Sequence, residues 1–429
     1  MNKEIKKIYG MHWLVFLMCT AVIFIGDMLG KIPPNMVGAF LVCIVFGEIL
    51  FVLGDIIPVF NTYFGGGAIL CILGSAILAY FGAFSESMMS LVYNFVLDFG
   101  FLDFCIIGVI TGSILGMNGK TLVNVGTRYF VAIAGCIIFS FLGTGVLGMI
   151  LGYGFAEAIL YIAAPIIAGG VGAGAIPMAD IYATSLGIDV DVILPLILPA
   201  AIVGNPIAII IAGTVGAFEK KFPKLSGNGV LIEGMVEVPD EVQKNFNPTV
   251  RDLGVGLILS SALFILGGIM STFIPLHTYA NMIILTILIK LFKILPREVE
   301  LAASYWYQFV GINLMKALIF GVGVALIDFG EIVALFSNPI YFILVIACVI
   351  FAGLGAGIFG MLVKFKFIES AVTAGLCMAN AGGTGDVCTL GAANRMNLMP
   401  FAAISSRIGG AIILVLMSGI VRTLAGLML

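Results

Sequence analysis

Long apolar runs, each closed by a short polar or glycine-rich interval, recur along the whole chain. Runs near or above the roughly 20 residues that carry a helix across a bilayer predict spans at 11–30, 36–54, 67–84, 101–117, 127–151, 192–217, 254–274, 279–295, 312–329, 339–363 and 401–424. Strand-like alternation is nowhere sustained, which argues against an outer-membrane barrel. Two further apolar segments, 155–186 and 367–398, are broken near their centres by glycine and are predicted as re-entrant helical hairpins. Segments 85–98 and 297–311 mix charged, aromatic and apolar residues and read either as interfacial helices, the second with Tyr305, Trp306 and Tyr307 near a membrane surface, or equally as ordinary connecting helices. The expected fold is an all-α polytopic membrane protein of eleven transmembrane helices plus two re-entrant hairpins.

The polar intervals order these elements. Residues 219–252 form the one extended polar stretch and predict a cytoplasmic linker between two halves, 36–218 and 253–429, with 1–35 as an extra N-terminal helix. Each half holds five spans and one hairpin, so the second half is inverted relative to the first. Basic residues agree with an N-terminus in the cytoplasm and a C-terminus outside. Lys3, Lys6, Lys7, the cluster Lys220, Lys221, Lys224, Lys244 and Arg251, and then Lys290, Lys293, Arg297, Lys364, Lys366 and Arg395 fall inside, while Lys31 and Arg422 fall outside. The first apolar run lacks a small-residue cleavage site and is read as an uncleaved helix. The location expected is a bacterial cytoplasmic (inner) membrane.

Composition supports this and removes other classes. The chain is 61% hydrophobic and 10% charged, too little charge for the surface of a soluble domain of 429 residues. A net charge of −3 without a basic patch gives no sign of nucleic acid as a partner. The eight cysteines show neither metal-ligand spacing nor a disulfide framework.

Chemistry concentrates in the broken segments. Ala168-Gly169-Gly170-Val171-Gly172-Ala173-Gly174 and Asn380-Ala381-Gly382-Gly383-Thr384-Gly385-Asp386 occupy corresponding places in the two halves. Side-chain-free residues at a helix break let a solute reach backbone amides, and the half-helix that follows turns its positive end toward an anion. Arg407, inside the last apolar run, costs about 2.5–3.5 kcal/mol at mid-bilayer unless something compensates, and a carboxylate held bidentately would do so. Ser406, Asn380 and Thr384 offer hard oxygen ligands for a small cation such as sodium. Asp386 reads equally as a cation ligand, a proton carrier or a helix cap, and Asp180, Asp189 and Asp191 as solvated caps. His12 and His277 have no sequence partner that suggests metal or catalysis, and no nucleophile–base constellation supports an enzyme. Matched hairpins also suit alternating access better than a channel.

These motifs, with Asn61-Thr62-Tyr63-Phe64-Gly65-Gly66-Gly67, Asn394-Arg395-Met396-Asn397-Leu398 and Ser405-Ser406-Arg407, resemble the bacterial 2-hydroxycarboxylate transporters of citrate and malate over essentially the whole chain. The resemblance implies a homodimer in which a transport domain holding both hairpins moves as an elevator against a static dimerisation domain. It implies substrate contacts at Gly172, Gly383, Thr384 and Arg407, with Ser406 beside them, and cation ligands around Cys377, Asn380, Thr384 and Ser406. No cofactor is expected beyond sodium, or a proton through Asp386. Citrate symporters of the family tend to carry an arginine where this chain has Ala381, and a polar amide can occur in place of Val171. Losing one guanidinium removes the partner of a third carboxylate, which favours malate or another 2-hydroxydicarboxylate over citrate. Exchange against lactate is the alternative mode of transport.

Overall fold

The computed structural model describes residues 7–58, 67–117, 119–232, 246–274, 276–327, 329–330, 333, 338–382 and 384–427. A two-residue antiparallel ladder, Lys7–Ile8 with Met11–His12, opens the chain; among the described residues all other regular structure is helical. The described residues form two compact units, and two of the boundaries, after Cys105 and after Gln308, fall inside helices.

The first unit contains α1 (Trp13–Met28), α2 (Met36–Ile56), α3 (Gly67–Tyr80), α4 (Glu86–Val96), the start of α5 (Phe101–Leu115) and the later part of α12 (Arg297–Leu326). Local chemistry sets the starts: Asn35 accepts from the Val37 amide at 2.9 Å to cap α2, and Ser85 accepts from the Met88 amide at 3.2 Å to cap α4. Phenylalanines fill the core, with Phe95 and Phe101 stacked at 4.4 Å and Phe46 packed on Phe84 and Phe320 at 5.3 and 5.8 Å. Lys316, expected within a span, pairs with buried Glu48 at 2.6 Å.

The second unit holds the rest: the later part of α5, α6 (Gly119–Ile150), α7 (Phe155–Ile166), α8 (Ile176–Leu186), α9 (Val190–Ala217), α10 (Val250–Ser271), α11 (Thr278–Leu291), the start of α12, α13 (Pro339–Leu362), α14 (Phe367–Leu376), α15 (Thr384–Ala392) and α16 (Phe401–Ala425). Helices α6 and α13 meet backbone to backbone at Gly135 and Gly355, where a methyl on either would strike the other's carbonyl oxygen.

Among the described residues seven helices are long and apolar enough to cross a membrane, or eight if the pair α4–α5, bent by 42°, is counted as one span. The chain is a multi-pass membrane protein. The spans expected at 11–30, 67–84 and 279–295 appear as α1, α3 and α11, of 16, 14 and 14 residues. At 1.5 Å per residue they fall short of the roughly 30 Å hydrocarbon core, so length alone does not reach eleven crossings.

Segment 297–311 departs from the interfacial reading. It runs without a break into the following span as one helix of 30 residues, through a π turn at Val310–Leu314. Its charged face is neutralised within the protein. Lys290 and Arg297 both donate to Glu300, at 2.6 and 2.8 Å, and both bond the carbonyl oxygen of Leu115, the last residue of α5. Trp306 is buried as well, so the amphipathic pattern reports internal packing.

Candidate solute and cation site

Both glycine-broken segments fold as hairpins. In the first, α7 ends at Ile166, the chain turns through Gly169 and Gly170, and a π turn at Val171–Ala175 leads into α8. The Tyr182 hydroxyl donates to the Leu160 carbonyl at 3.3 Å, holding the two arms side by side. In the second, α14 and α15 flank a break containing Cys377–Gly382, and the hairpin closes at its base where Arg395 Nε meets Glu369 at 3.0 Å. The arms also share a detail of winding. Each first arm contains a six-residue π turn, Ala158–Ala163 and Ala371–Leu376, and these turns are separated by the same interval as the glycine pairs Gly169-Gly170 and Gly382-Gly383. One extra residue per turn re-aims the side chains that follow, which is why such turns gather at functional sites.

The two breaks pack against each other. Gly169, Gly170 and Gly382 adopt φ of +84°, +103° and +65°, open to glycine at little cost. A Cβ on Gly170 would sit 2.5 Å from the Ala381 carbonyl oxygen, and one on Gly169 would strike the carbonyl of Ser406. The glycines therefore permit three backbone segments (two hairpin tips and the π turn Ser405–Gly409 of α16) to touch directly.

Around this junction lies a buried polar cluster. Asp386, in the first turn of α15, accepts from Asn380 Nδ2 at 3.1 Å and from Ser406 Oγ at 3.0 Å. Asn380 also donates to Thr389 Oγ1 at 3.0 Å and accepts from the Gly382 amide at 2.7 Å. Asp386 is 1% exposed, and among the described residues no ion pair reaches it. A desolvated carboxylate with only neutral donors is costly as an anion, so the arrangement suits one that takes up a cation or a proton. Asp386 is thus a member of the cluster rather than a helix cap.

Arg407 lies on the other side of the same π turn. Ser405 and Ser406 point inward, Ser405 donating to the Thr373 carbonyl at 2.5 Å, whereas Arg407 is exposed with its guanidinium 5.5 Å from the Tyr307 ring centroid. Gly172 is half-buried and its neighbour Ala173 exposed, so the amides opening the second arm of the first hairpin lie near the surface. Cys377 is fully buried at the end of the first arm of the second hairpin. Gly383 and the Thr384 side chain lie outside the described residues, as does the segment from Asn61 to Gly66.

Three participants escape sequence reasoning. Thr389 follows Asp386 by three residues on α15, the spacing that shares a helix face. Tyr307, taken as an interfacial aromatic, faces Arg407. Asn205, fully buried in apolar α9, accepts from the Ala381 amide at 2.9 Å. Asp180, expected as a solvated cap, lies 3.2 Å from His277 Nε2, and because His277 Nδ1 accepts from the Tyr279 amide, Nε2 carries the proton.

A family model described as the 2-hydroxycarboxylate transporter family matches residues 8–419. The chain belongs to the 2-hydroxycarboxylate transporter family. Its relatives include a malate transporter of Lactococcus lactis, 32% identical over 96% of this chain and 97% of its own length. A citrate transporter of Leuconostoc mesenteroides is 33% identical over 97% and 94%. A Na(+)-malate symporter of Bacillus subtilis is 32% identical over 92% and 88%. Identities this close give no ranking of malate against citrate within the 2-hydroxycarboxylate transporters, so that choice falls to individual site residues.

Proposed function

We propose that the protein is a secondary active transporter that imports malate, or a similar 2-hydroxydicarboxylate, together with a cation, sodium in the first place. The observation that carries this reading is the pairing of Asp386 with neutral donors only, on the inner side of a π turn whose outer side presents Arg407. A cation at Asp386, Asn380 and Ser406, with Thr384 and Cys377 close in sequence, neutralises the buried carboxylate. Arg407 and the amides near Gly172, with those around Gly383, then hold the two carboxylates of the substrate. Relatives named as a malate transporter and a Na(+)-malate symporter support both parts of the reading.

The substrate preference rests on Ala381. Its methyl group offers a third carboxylate no partner, so a dianion is matched better than citrate. Transport follows an elevator course in a homodimer of the bacterial cytoplasmic membrane: the two halves are inverted repeats, and the hairpins carry the shielded solute across as one body. If one net positive charge enters per cycle, 100 mV supplies about 2.3 kcal/mol, or roughly 50-fold accumulation.

Purified protein in liposomes should concentrate labelled malate under an inward sodium gradient, with unlabelled malate competing better than citrate. Uptake indifferent to sodium and to pH would overturn the coupling. Accumulation that requires lactate inside the vesicles would replace symport by exchange.

A further inference from the structure

The second hairpin is held at its tip by a residue of the other half. Helix α9 carries Gly204-Asn205-Pro206, and Gly204 brings its backbone close to both hairpins: a Cβ there would lie 3.2 Å from Ile166 and 3.5 Å from the Ala379 carbonyl. From this position Asn205 Oδ1 accepts from the Ala381 amide at 2.9 Å and lies over Gly385, where a Cβ would approach it to 2.8 Å. Asn205 thus bridges the two sides of the break, residue 381 before it and residue 385 at the start of α15. The next amide, that of Gly382, is taken by Asn380 Oδ1 at 2.7 Å. Two consecutive amides of the tip therefore point at carboxamide oxygens, one local and one supplied from α9.

We infer that Asn205 is a positioning residue for the cation half of the site: by holding residues 381 and 385 in register it places Asp386 against Asn380 and Ser406. This extends the coupling reading given above and rests on it. The short side chains around the break make the tip depend on such a strut, because Ala381, Gly382 and Gly385 offer almost no side-chain packing of their own. An acceptor at position 205 is the required chemistry, so aspartate preserves the function and leucine, of similar size, abolishes it.

The test compares N205L and N205D with the unaltered protein in liposomes, reading the sodium concentration that gives half-maximal malate uptake and the malate KM at saturating sodium. In N205L the half-maximal sodium concentration should rise about tenfold or more, with malate KM changed less than about threefold and the melting temperature without sodium unchanged. N205D should return to within about threefold of the unaltered value. Sodium dependence in N205L equal to that of the unaltered protein, a melting temperature lowered equally in both variants, or N205D no better than N205L would overturn the assignment. If the unaltered protein itself ignores sodium, the coupling reading falls separately. The same pair of variants is then read in malate KM, where a tenfold rise in N205L restored by N205D upholds the strut and equal values remove it.

Discussion

The second hairpin holds two buried carboxylates that are treated in opposite ways. Glu369, at the base and 0% exposed, accepts from Arg395 Nε, from the amides of Gly227 and Gly229, and from the Ser226 hydroxyl. Arg395 in turn reaches Glu219 at 2.5 Å and Ser226 at 3.1 Å, and Asn397 bonds the Gly229 carbonyl at 2.7 Å. The start of the linker is thereby fastened to the hairpin. Asp386, at the tip and just as buried, has only neutral partners: a carboxamide, a hydroxyl and the Cys377 thiol. Complete compensation suits a joint, and on the function proposed above the incomplete compensation at Asp386 leaves its charge to be met by the coupled cation.

The largest separation between the two should come from D386N, which keeps the size of the side chain and removes the charge. Sodium-driven malate accumulation should fall at least about 100-fold, equivalent to roughly 2.7 kcal/mol, while the melting temperature of purified protein without sodium holds. A variant that still couples uptake to sodium would move the cation elsewhere. E369Q should do the reverse. Breaking a buried, hydrogen-bonded ion pair costs about 3–5 kcal/mol, read as a large fall in melting temperature, while protein that remains folded keeps its sodium response. R407K is the smallest of the three and asks whether Arg407 is a hidden partner of Asp386. Losing the two-pronged guanidinium should raise malate KM about tenfold, near 1.4 kcal/mol, leaving melting and half-maximal sodium in place. A stability loss like that of E369Q would make the tip a second joint.

What could be read from the chain follows from how local each signal is. The hairpins are legible because two glycine-rich runs interrupt apolar segments at corresponding places in the two halves, a pattern that single pairs such as Gly267-Gly268 inside α10 do not make, and Arg407 because an arginine in an apolar run needs a reason. Asn380, Asp386 and Ser406 were named as separate oxygen donors, and the fold joins them. Arg395 stands in the sequence as a marker of the inner side and a member of a family motif, but its bond to Glu369 spans 26 positions and nothing in either neighbourhood announces the other. Asn205 was invisible for a stronger reason: its partner is a backbone amide 176 residues away, and a backbone amide has no letter in a sequence. Segment 297–311 is open to two readings because an amphipathic helix looks the same whether its charged face meets headgroups or, as with Arg297 and Glu300, a carbonyl and a lysine of its own chain.

The contact of Gly169 and Gly170 with Ser406, Ala381 and Gly382 has a consequence for descent. Two stretches far apart in the gene meet where a methyl on Gly169 or Gly170 would strike a backbone carbonyl of the other half, and no side-chain substitution there can withdraw a carbonyl. Across the lineage Gly169 and Gly170 should therefore hardly change, whereas the side chain at 381 is free to vary because only its backbone makes the contact, and a gene that kept one half and lost the other would inherit half of a lock.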